Sequence, residues 1–119
     1  MNQAKSKVTV QRHVLVEKNA IDELRLVAIV SKGEVRALLM DPQGVGWIVK
    51  PGDYVGKAEI VNTGGPAGAD VAINWRVDRI REPDLVFVRE DASHPEISPS
   101  TRVISLRPEE AQGLSDRMQ

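Results

Sequence analysis

Few segments of this 119-residue chain could do chemistry, and the first is a glycine-rich stretch. Residues 64–68 read Gly-Gly-Pro-Ala-Gly. A phosphate-binding loop continues with Lys and then Ser or Thr at the start of a helix. Here Ala69, Asp70 and Val71 follow, and the Asp70 carboxylate would repel phosphate. We therefore expect residues 62–69 to form a hairpin loop, with no cofactor-binding role.

The remaining reactive groups do not share a spacing that supports catalysis or metal binding. His13 and His94 stand far apart, without the paired ligand spacing of a metal site. The chain has no cysteine and no Ser in a Gly-x-Ser-x-Gly turn. The adjacent carboxylates at 90–91 and 109–110 suit a strand end and a helix start respectively. We expect no catalytic, cofactor-binding or metal-binding residue, and we expect both histidines at the surface.

Three arginines lie along one predicted strand, Arg76, Arg79 and Arg81, interspersed with Asp78 and Glu82. One interpretation is a solvated outer face or an edge whose charges resist sheet aggregation. The other is a protein-binding edge at which arginine side chains serve as anchors. We predict these three arginines as the protein-binding residues.

Composition excludes some functions and leaves the compartment open. The formal net charge of −1 argues against a nucleic-acid binder, which carries a dominant basic surface. The absence of cysteine excludes disulfides and Cys-ligated zinc. No apolar run reaches the roughly 20 residues of a membrane-spanning helix. Trp47 and Trp75 are expected in the core, and either one is an interface candidate if it is partly exposed.

Short apolar segments separated by turn residues predict an all-β domain, a small β-sandwich of about seven short strands with a short N-terminal helical turn. The predicted strands are residues 24–30, 35–40, 46–50, 54–61, 71–81, 85–90 and 101–106. The first is expected to be central, because both of its faces are apolar. Its even-numbered residues should share one face. Asn19 is the expected N-cap of a helical turn at 20–24.

Two turns and two irregularities are predicted from backbone preferences and from the pattern of apolar residues. Pro and Gly occupy the positions that tight turns favour at residues 41–44 and 50–53. A glycine within the 54–61 strand indicates a bend or bulge. In the 71–81 strand Val77 and Ile80 would fall on opposite faces, so we expect a bulge or a twist there. The predicted structural residues are Asp41, Pro42, Gly44, Pro51, Gly52, Asp53 and Gly56.

These turns, in this strand order, resemble a known family. Residues 37–44 (ALLMDPQG), 46–50 (GWIVK) and 52–57 (GDYVGK) are similar to the pattern of the type IV pilus assembly protein PilP family. Residues 24–30 resemble that family's preceding strand, with Ala28 in place of a glycine. The chain departs from the pattern at Ala58-Glu59 and in an apparent insertion at 62–70.

The resemblance implies a periplasmic β-sandwich, similar to the homology-region domain of type II secretion inner-membrane proteins. Members of the family are inner-membrane lipoproteins that link the PilN/PilO complex to the secretin PilQ. We expect a flexible N-terminal arm at 1–19, as in that family, a β-sandwich domain at 20–107 and a polar C-terminal tail at 108–119. Any membrane association would run through an anchor that is not present in this chain.

Two alternatives remain open. One is an adaptor of a type II secretion system, which would share the fold and the type of role. The other belongs to a different class, a small-ligand β-barrel or an enzyme. It predicts a deep pocket with convergent polar groups and perturbed titratable residues.

Overall fold

Two β-sheets packed around a common core form the protein, which confirms the predicted all-β sandwich. The computed structural model describes residues 13–64 and 68–106. Its elements are β1 (Val14–Leu15), a 3₁₀ turn (Ile21–Glu23), β2 (Arg25–Val30), β3 (Arg36–Met40), β4 (Gly46–Val49), β5 (Tyr54–Asn62), β6 (Asp70–Arg81), β7 (Asp84–Arg89) and β8 (Ser100–Ser105). A five-stranded sheet has the order β1-β5-β6-β7-β8, and a three-stranded sheet has the order β2-β3-β4. The predicted tail at 108–119 lies outside the described residues.

Aliphatic side chains from both sheets build most of the core, together with Trp75 and Phe87. Trp75 is 2% exposed, and Phe87 is completely buried. The three-stranded sheet supplies fully buried Leu26, Leu39 and Val49 to the same cluster. Trp47 is only partly buried and packs against the edge of that cluster. One of the two tryptophans is therefore a core residue, and the other remains accessible.

The sandwich extends into the last residues of the segment predicted as a flexible arm. Val14 and Leu15 pair in parallel with Tyr54 and Val55 of β5. Val16 then enters the core at 5% exposure, with a positive φ of 52°. A β-branched residue rarely adopts that conformation, so tertiary packing must hold it there. The first 12 residues of the predicted arm lie outside the described part of the chain.

The helical turn is present, but Asn19 does not cap it as predicted. Ala20 holds the N-cap position in an extended conformation, without a side-chain cap. The Asn19 carbonyl instead accepts a hydrogen bond from the Lys57 amide at 2.8 Å. Its side-chain amide donates to Glu23 at 2.9 Å. Asn19 therefore ties the helical turn to β5.

The prediction that the 24–30 strand is central is wrong, because β2 is an edge of the three-stranded sheet. The expected sharing of one face by its even-numbered residues is also wrong. A bulge between Leu26 and Ala28 shifts the register. After it, Ile29 packs on the core, and Val30 is 40% exposed. The apolar character of both faces thus reflects a bulge and a partly exposed outer face.

The two sheets meet at one corner of the sandwich. Leu26 at the start of β2 forms an isolated parallel bridge with Leu106, just beyond β8. These two strands are edges of different sheets, so the bridge closes that corner. The other two edges, β4 and β1, lie at the opposite corner, which we call the open corner.

Both predicted irregularities are confirmed as bulges. In β5 the register with β6 shifts between Val55 and Glu59, where Gly56 has a φ of 88°. In β6 the register with β7 shifts between Val77 and Arg79. Gly56 also lies directly beneath the helical turn, where a Cβ atom would come within 2.7 Å of the Ile21 Cγ2. Only glycine fits there in both conformation and volume.

We predict that Gly56→Ala destabilises the fold by about 2–4 kcal/mol, because a left-handed conformation and a steric clash act together. Gly33→Ala is the matched control. Gly33 also has a positive φ, but no atom of the described residues lies within 4 Å of the place that its Cβ would take. That substitution should cost about 1 kcal/mol. Urea unfolding followed by circular dichroism measures the free energy of unfolding of both variants. Equal decreases in the two variants would contradict the close packing at Gly56.

Candidate protein-binding surface

The three predicted arginines share the outer face of the five-stranded sheet. Arg76, Arg79 and Arg81 pair with residues of β7 that alternate with the core residues Leu85 and Phe87. Because successive side chains of a strand point to opposite faces, the arginine side chains point away from the core. The sheet therefore presents three guanidinium groups on one surface, which we call the arginine face.

The bulge in β6 makes this arrangement possible. Arg76 and Arg79 are three positions apart, a spacing that places side chains on opposite faces of a regular strand. Asp78 is the extra residue between Val77 and Arg79, where β7 advances by one residue only. An extra residue in one strand reverses the alternation that follows it. Arg79 and Arg81 thereby return to the face of Arg76.

The interpretation of this strand as a sheet edge is wrong. β6 pairs with β5 on one side and with β7 on the other, so it lies in the middle of the sheet. Its backbone groups are used within the sheet and are not available to an added strand. The arginines can contact a partner through their side chains alone, and their binding role stays a prediction.

The arginines differ in how strongly neighbouring carboxylates hold them. Arg76 pairs with Glu90, and Arg81 Nε lies 2.6 Å from the Asp84 carboxylate. Arg79 Nε lies 3.7 Å from Asp78, and the Arg79 side chain is 64% exposed. Exposed pairs of this kind contribute little to stability. Arg79 is therefore the arginine most available to a partner.

A cavity of about 480 Å³ adjoins the arginine face at Arg76. Tyr54, the cross-strand neighbour of Arg76, lines it together with residues of the loop after β7. Within that loop Ile97 is buried at 8% exposure and also lines the cavity. The cavity thus combines an aromatic ring, an aliphatic side chain and the Arg76–Glu90 ion pair.

Asp91, Ser93 and His94 are close together but do not have the geometry of a catalytic triad. Ser93 Oγ donates to Asp91 at 2.6 Å, and His94 Nδ1 lies 3.1 Å from the same carboxylate. Ser93 Oγ also approaches His94 at Nδ1, at 3.3 Å. A triad uses the two imidazole nitrogens separately, one for Ser and one for Asp. Hydrogen bonds from Ser93 and His94 lower the pKa of Asp91, which suits a carboxylate that closes its own turn.

Asp41 is a buried carboxylate that orders the β3–β4 hairpin. It is 7% exposed and accepts hydrogen bonds from Trp47 Nε1 at 3.0 Å and from the Gln43 and Val45 amides at 2.9 Å. The bond from Trp47 is the main cause of its lowered pKa, followed by the bond from Val45. The Asp-Pro pattern predicts a turn there, and Gly44 closes it onto the Asp41 carbonyl at 2.9 Å. The link to the Trp47 indole had no separate signal in the sequence.

The second predicted turn connects the two sheets. Gly52 has a φ of 95°, and the Asp53 amide donates to the Lys50 carbonyl at 3.1 Å. The Gly52 amide donates to the Val77 carbonyl, and the Val77 amide donates to the Asp53 carbonyl, both at 2.8 Å. The turn is therefore fixed to the middle of β6.

The two histidines and the glycine-rich loop are the remaining candidates from the sequence. His13 is exposed, and His94 is partly buried in its turn. Within residues 13–64 and 68–106, no group of three His, Asp or Glu side chains could hold a metal ion. The described part of the glycine-rich loop is closed by Thr63 and Ala69, and residues 65–67 lie outside it. No helix in the described part is long and apolar enough to cross a membrane.

Neither a family model nor a curated protein matches this chain. The resemblance to the pilus assembly family therefore rests on the turns and strands quoted above.

We predict that Asp41→Asn destabilises the fold at pH 7, because an amide NH₂ group cannot accept the Trp47 N–H hydrogen bond. The lowered pKa of Asp41 means that its ionised form stabilises the fold above the unfolded-state pKa, near 3.8. That stabilisation is lost as the pH falls through the lower folded-state pKa. The difference in the free energy of unfolding between wild type and Asp41→Asn should therefore become smaller in strong acid.

Urea unfolding at several pH values tests this, with Asp70→Asn as the control. Asp70 is exposed, and its carboxylate accepts a hydrogen bond from the Asn62 side chain at 2.9 Å. If Asp41→Asn lowers the free energy of unfolding by no more than Asp70→Asn does, the Asp41 carboxylate does not order the hairpin.

Proposed function

We propose that this chain is a structural adaptor of the type IV pilus machine, a binding module without catalytic activity. In this role it would link the inner-membrane PilN/PilO complex to the secretin PilQ in the periplasm. The observation that carries the proposal is the arginine face, on which a bulge gathers three guanidinium groups around the centre of a folded sheet. The quoted turn motifs supply the link to the pilus family.

The arginine face has the features of a protein contact surface. Arginine is among the residues that contribute most at interfaces, because its planar group pairs with carboxylates and stacks on apolar surfaces. Arg79 is exposed and held only loosely by its neighbour. A partner carboxylate could displace that weak contact without leaving a buried charge unpaired.

The cavity beside Arg76 supports the same proposal. A partner side chain that enters it would meet Tyr54 and Ile97, next to the Arg76–Glu90 pair. An apolar contact bordered by charges is the usual arrangement at the centre of an interface. We therefore propose that the secretin domain binds across Arg76 and Arg79.

The hydrogen bonds of two carboxylates favour this proposal over a ligand-binding barrel or an enzyme. Asp41 and Asp91 each line a cavity. However, Asp41 already accepts hydrogen bonds from Trp47 of β4 and from its own turn, and Asp91 accepts them from Ser93. These hydrogen bonds lower the pKa of both carboxylates, so each stays an ionised acceptor with a structural role. A type II secretion adaptor would use the same surface, and pilus genes next to this one would favour the pilus assignment.

We predict that Arg79→Glu weakens binding to the N-terminal periplasmic domains of the secretin from the same genome by about tenfold or more. Charge reversal replaces an attraction to partner carboxylates with a repulsion. Biolayer interferometry at two salt concentrations measures the dissociation constant. The wild-type affinity should also fall as salt rises, since exposed charges are screened.

Arg36→Glu is the matched control, because Arg36 is an exposed arginine at the start of β3 in the other sheet. It undergoes the same charge change and should leave the affinity within about threefold of wild type. No binding by the wild-type chain would overturn the adaptor proposal. Equal losses for the two variants would overturn the arginine face as its binding surface.

A further inference from the structure

Among residues 13–64 and 68–106, the sandwich has four edge strands, which are protected to different degrees. At the closed corner, β2 carries a bulge, and β8 carries Arg102 and follows Pro99. Bulges, charges and proline are devices that prevent an edge from pairing with another chain. At the open corner β1 is only two residues long, which also limits pairing. The fourth edge is β4.

β4 has none of these devices. Residues 45–49 read Val-Gly-Trp-Ile-Val, without a charge or a proline. Its register with β3 runs without a shift from Gly46 to Val49. Within residues 13–64 and 68–106, no strand pairs with its second edge. Ile48 is 56% exposed and Val45 is 49% exposed, so apolar side chains border this edge.

The hydrogen-bond pattern shows which backbone groups the edge presents. The Asp41 amide donates to the Val45 carbonyl at 3.0 Å, which makes these two residues a hydrogen-bonded pair. Hydrogen-bonded pairs alternate along an antiparallel ladder, so Trp47 and Val49 bond to β3. The backbone groups of Gly46 and Ile48 therefore point outward, where an added strand would need them.

A cavity opens beside this edge, between β4 and β1. It has a volume of about 400 Å³ and is lined by Val14, Leu15 and Val16 on one side and Trp47 on the other. Polar or charged side chains, among them Glu17, Lys18 and Asp41, also line it. Asp41 holds the Trp47 indole by its hydrogen bond, so this wall is fixed in position. Alternate side chains of a strand added to β4 would point towards the cavity. Such a pocket beside an open edge is how strand addition acquires specificity.

We propose that an extended, uncharged segment of a partner protein adds to β4 and places an apolar side chain in this cavity. The inference rests on the proposed function of a binding module, and it identifies the kind of segment that the partner supplies. The segment hydrogen-bonds to Gly46 and Ile48 and packs between Trp47 and β1. No side chain of residues 45–49 is charged, so the edge offers no partner to the charged groups of an added strand.

A second copy of this chain fits the site less well than such a segment. β4 has four residues, which span only about 13 Å. Two copies joined by this edge alone would bury far less than the roughly 1,200 Å² of a stable interface. Mutual pairing of two β4 strands would also leave the cavities without an inserted aliphatic group. A single extended segment contacts β4, Trp47 and β1 together.

The test uses a phage-displayed library of random peptides about 12 residues long, selected on the full chain. Selected peptides should alternate apolar residues, and their binding should slow amide hydrogen exchange at Gly46 and Ile48. Ile48→Pro removes the outward amide without affecting the bonds to β3. It should weaken peptide binding by about tenfold or more. Ile48→Thr keeps the backbone amide and a branched side chain, so its affinity for the peptide should stay within about threefold of wild type.

Circular dichroism first establishes that both variants fold. If Ile48→Pro does not fold, the exchange measurement on the wild-type chain decides. The proposal is overturned if no peptide is enriched, or if the enriched peptides leave exchange at Gly46 and Ile48 unchanged. A concentration-dependent dimer in analytical ultracentrifugation that Ile48→Pro abolishes would instead assign the edge to a second copy.

The secretin measurement separates this inference from the proposed function. Secretin binding that Arg79→Glu weakens, together with no β4-dependent peptide, rejects the β4 site and keeps the adaptor role. Peptides that bind at β4, together with a secretin that does not bind, keep the docking edge and reject the pilus assignment.

Discussion

The arrangement of the sandwich depends on two backbone hydrogen bonds at Val77. The chain crosses from the three-stranded to the five-stranded sheet at residues 50–53. In this turn Gly52 and Asp53 bond to both backbone groups of Val77. Val77 is completely buried, so these bonds are shielded from water. They fix where β5 begins along β6, at the pair Tyr54–Arg76.

The same position determines which side chains reach the outer face. The bulge follows Val77 directly, and its extra residue is Asp78. Before the bulge Trp75 and Val77 face the core, and after it Ile80 does. β6 can thus contribute side chains to the core before and after the bulge, while its three arginines lie on the outer face. One local backbone feature serves both the packing of the core and the composition of the surface.

The sequence predicted what depends on residues close together in the chain. The turns at Asp41–Gly44 and Pro51–Gly52 and the bulge at Gly56 follow from the Pro and Gly residues at those positions. The bulge after Val77 follows from the apolar pattern, because a regular strand would place Val77 and Ile80 on opposite faces. Residues 24–30 are largely apolar on both faces, so the bulge within β2 gives no such signal. The central place of β6 and the pairing of β1 with β5 depend on which segments meet in the folded chain. For the same reason the acceptor role of Asp41 towards the Trp47 indole could not be deduced from a turn motif.

The open corner is preformed, which bears on how it can bind. Arg102 on β8 bonds to both oxygens of Asp22 at 2.6 Å, so the 3₁₀ turn after β1 is attached to the far strand of its sheet. The Arg102 and Arg89 guanidinium groups lie over the Trp75 ring, 5.1 and 5.5 Å from its centroid. These contacts position the segment that follows β1, while Asp41 holds Trp47 on the opposite wall. With both walls held by the fold, a bound strand would have to order only itself, which lowers the entropic cost of association.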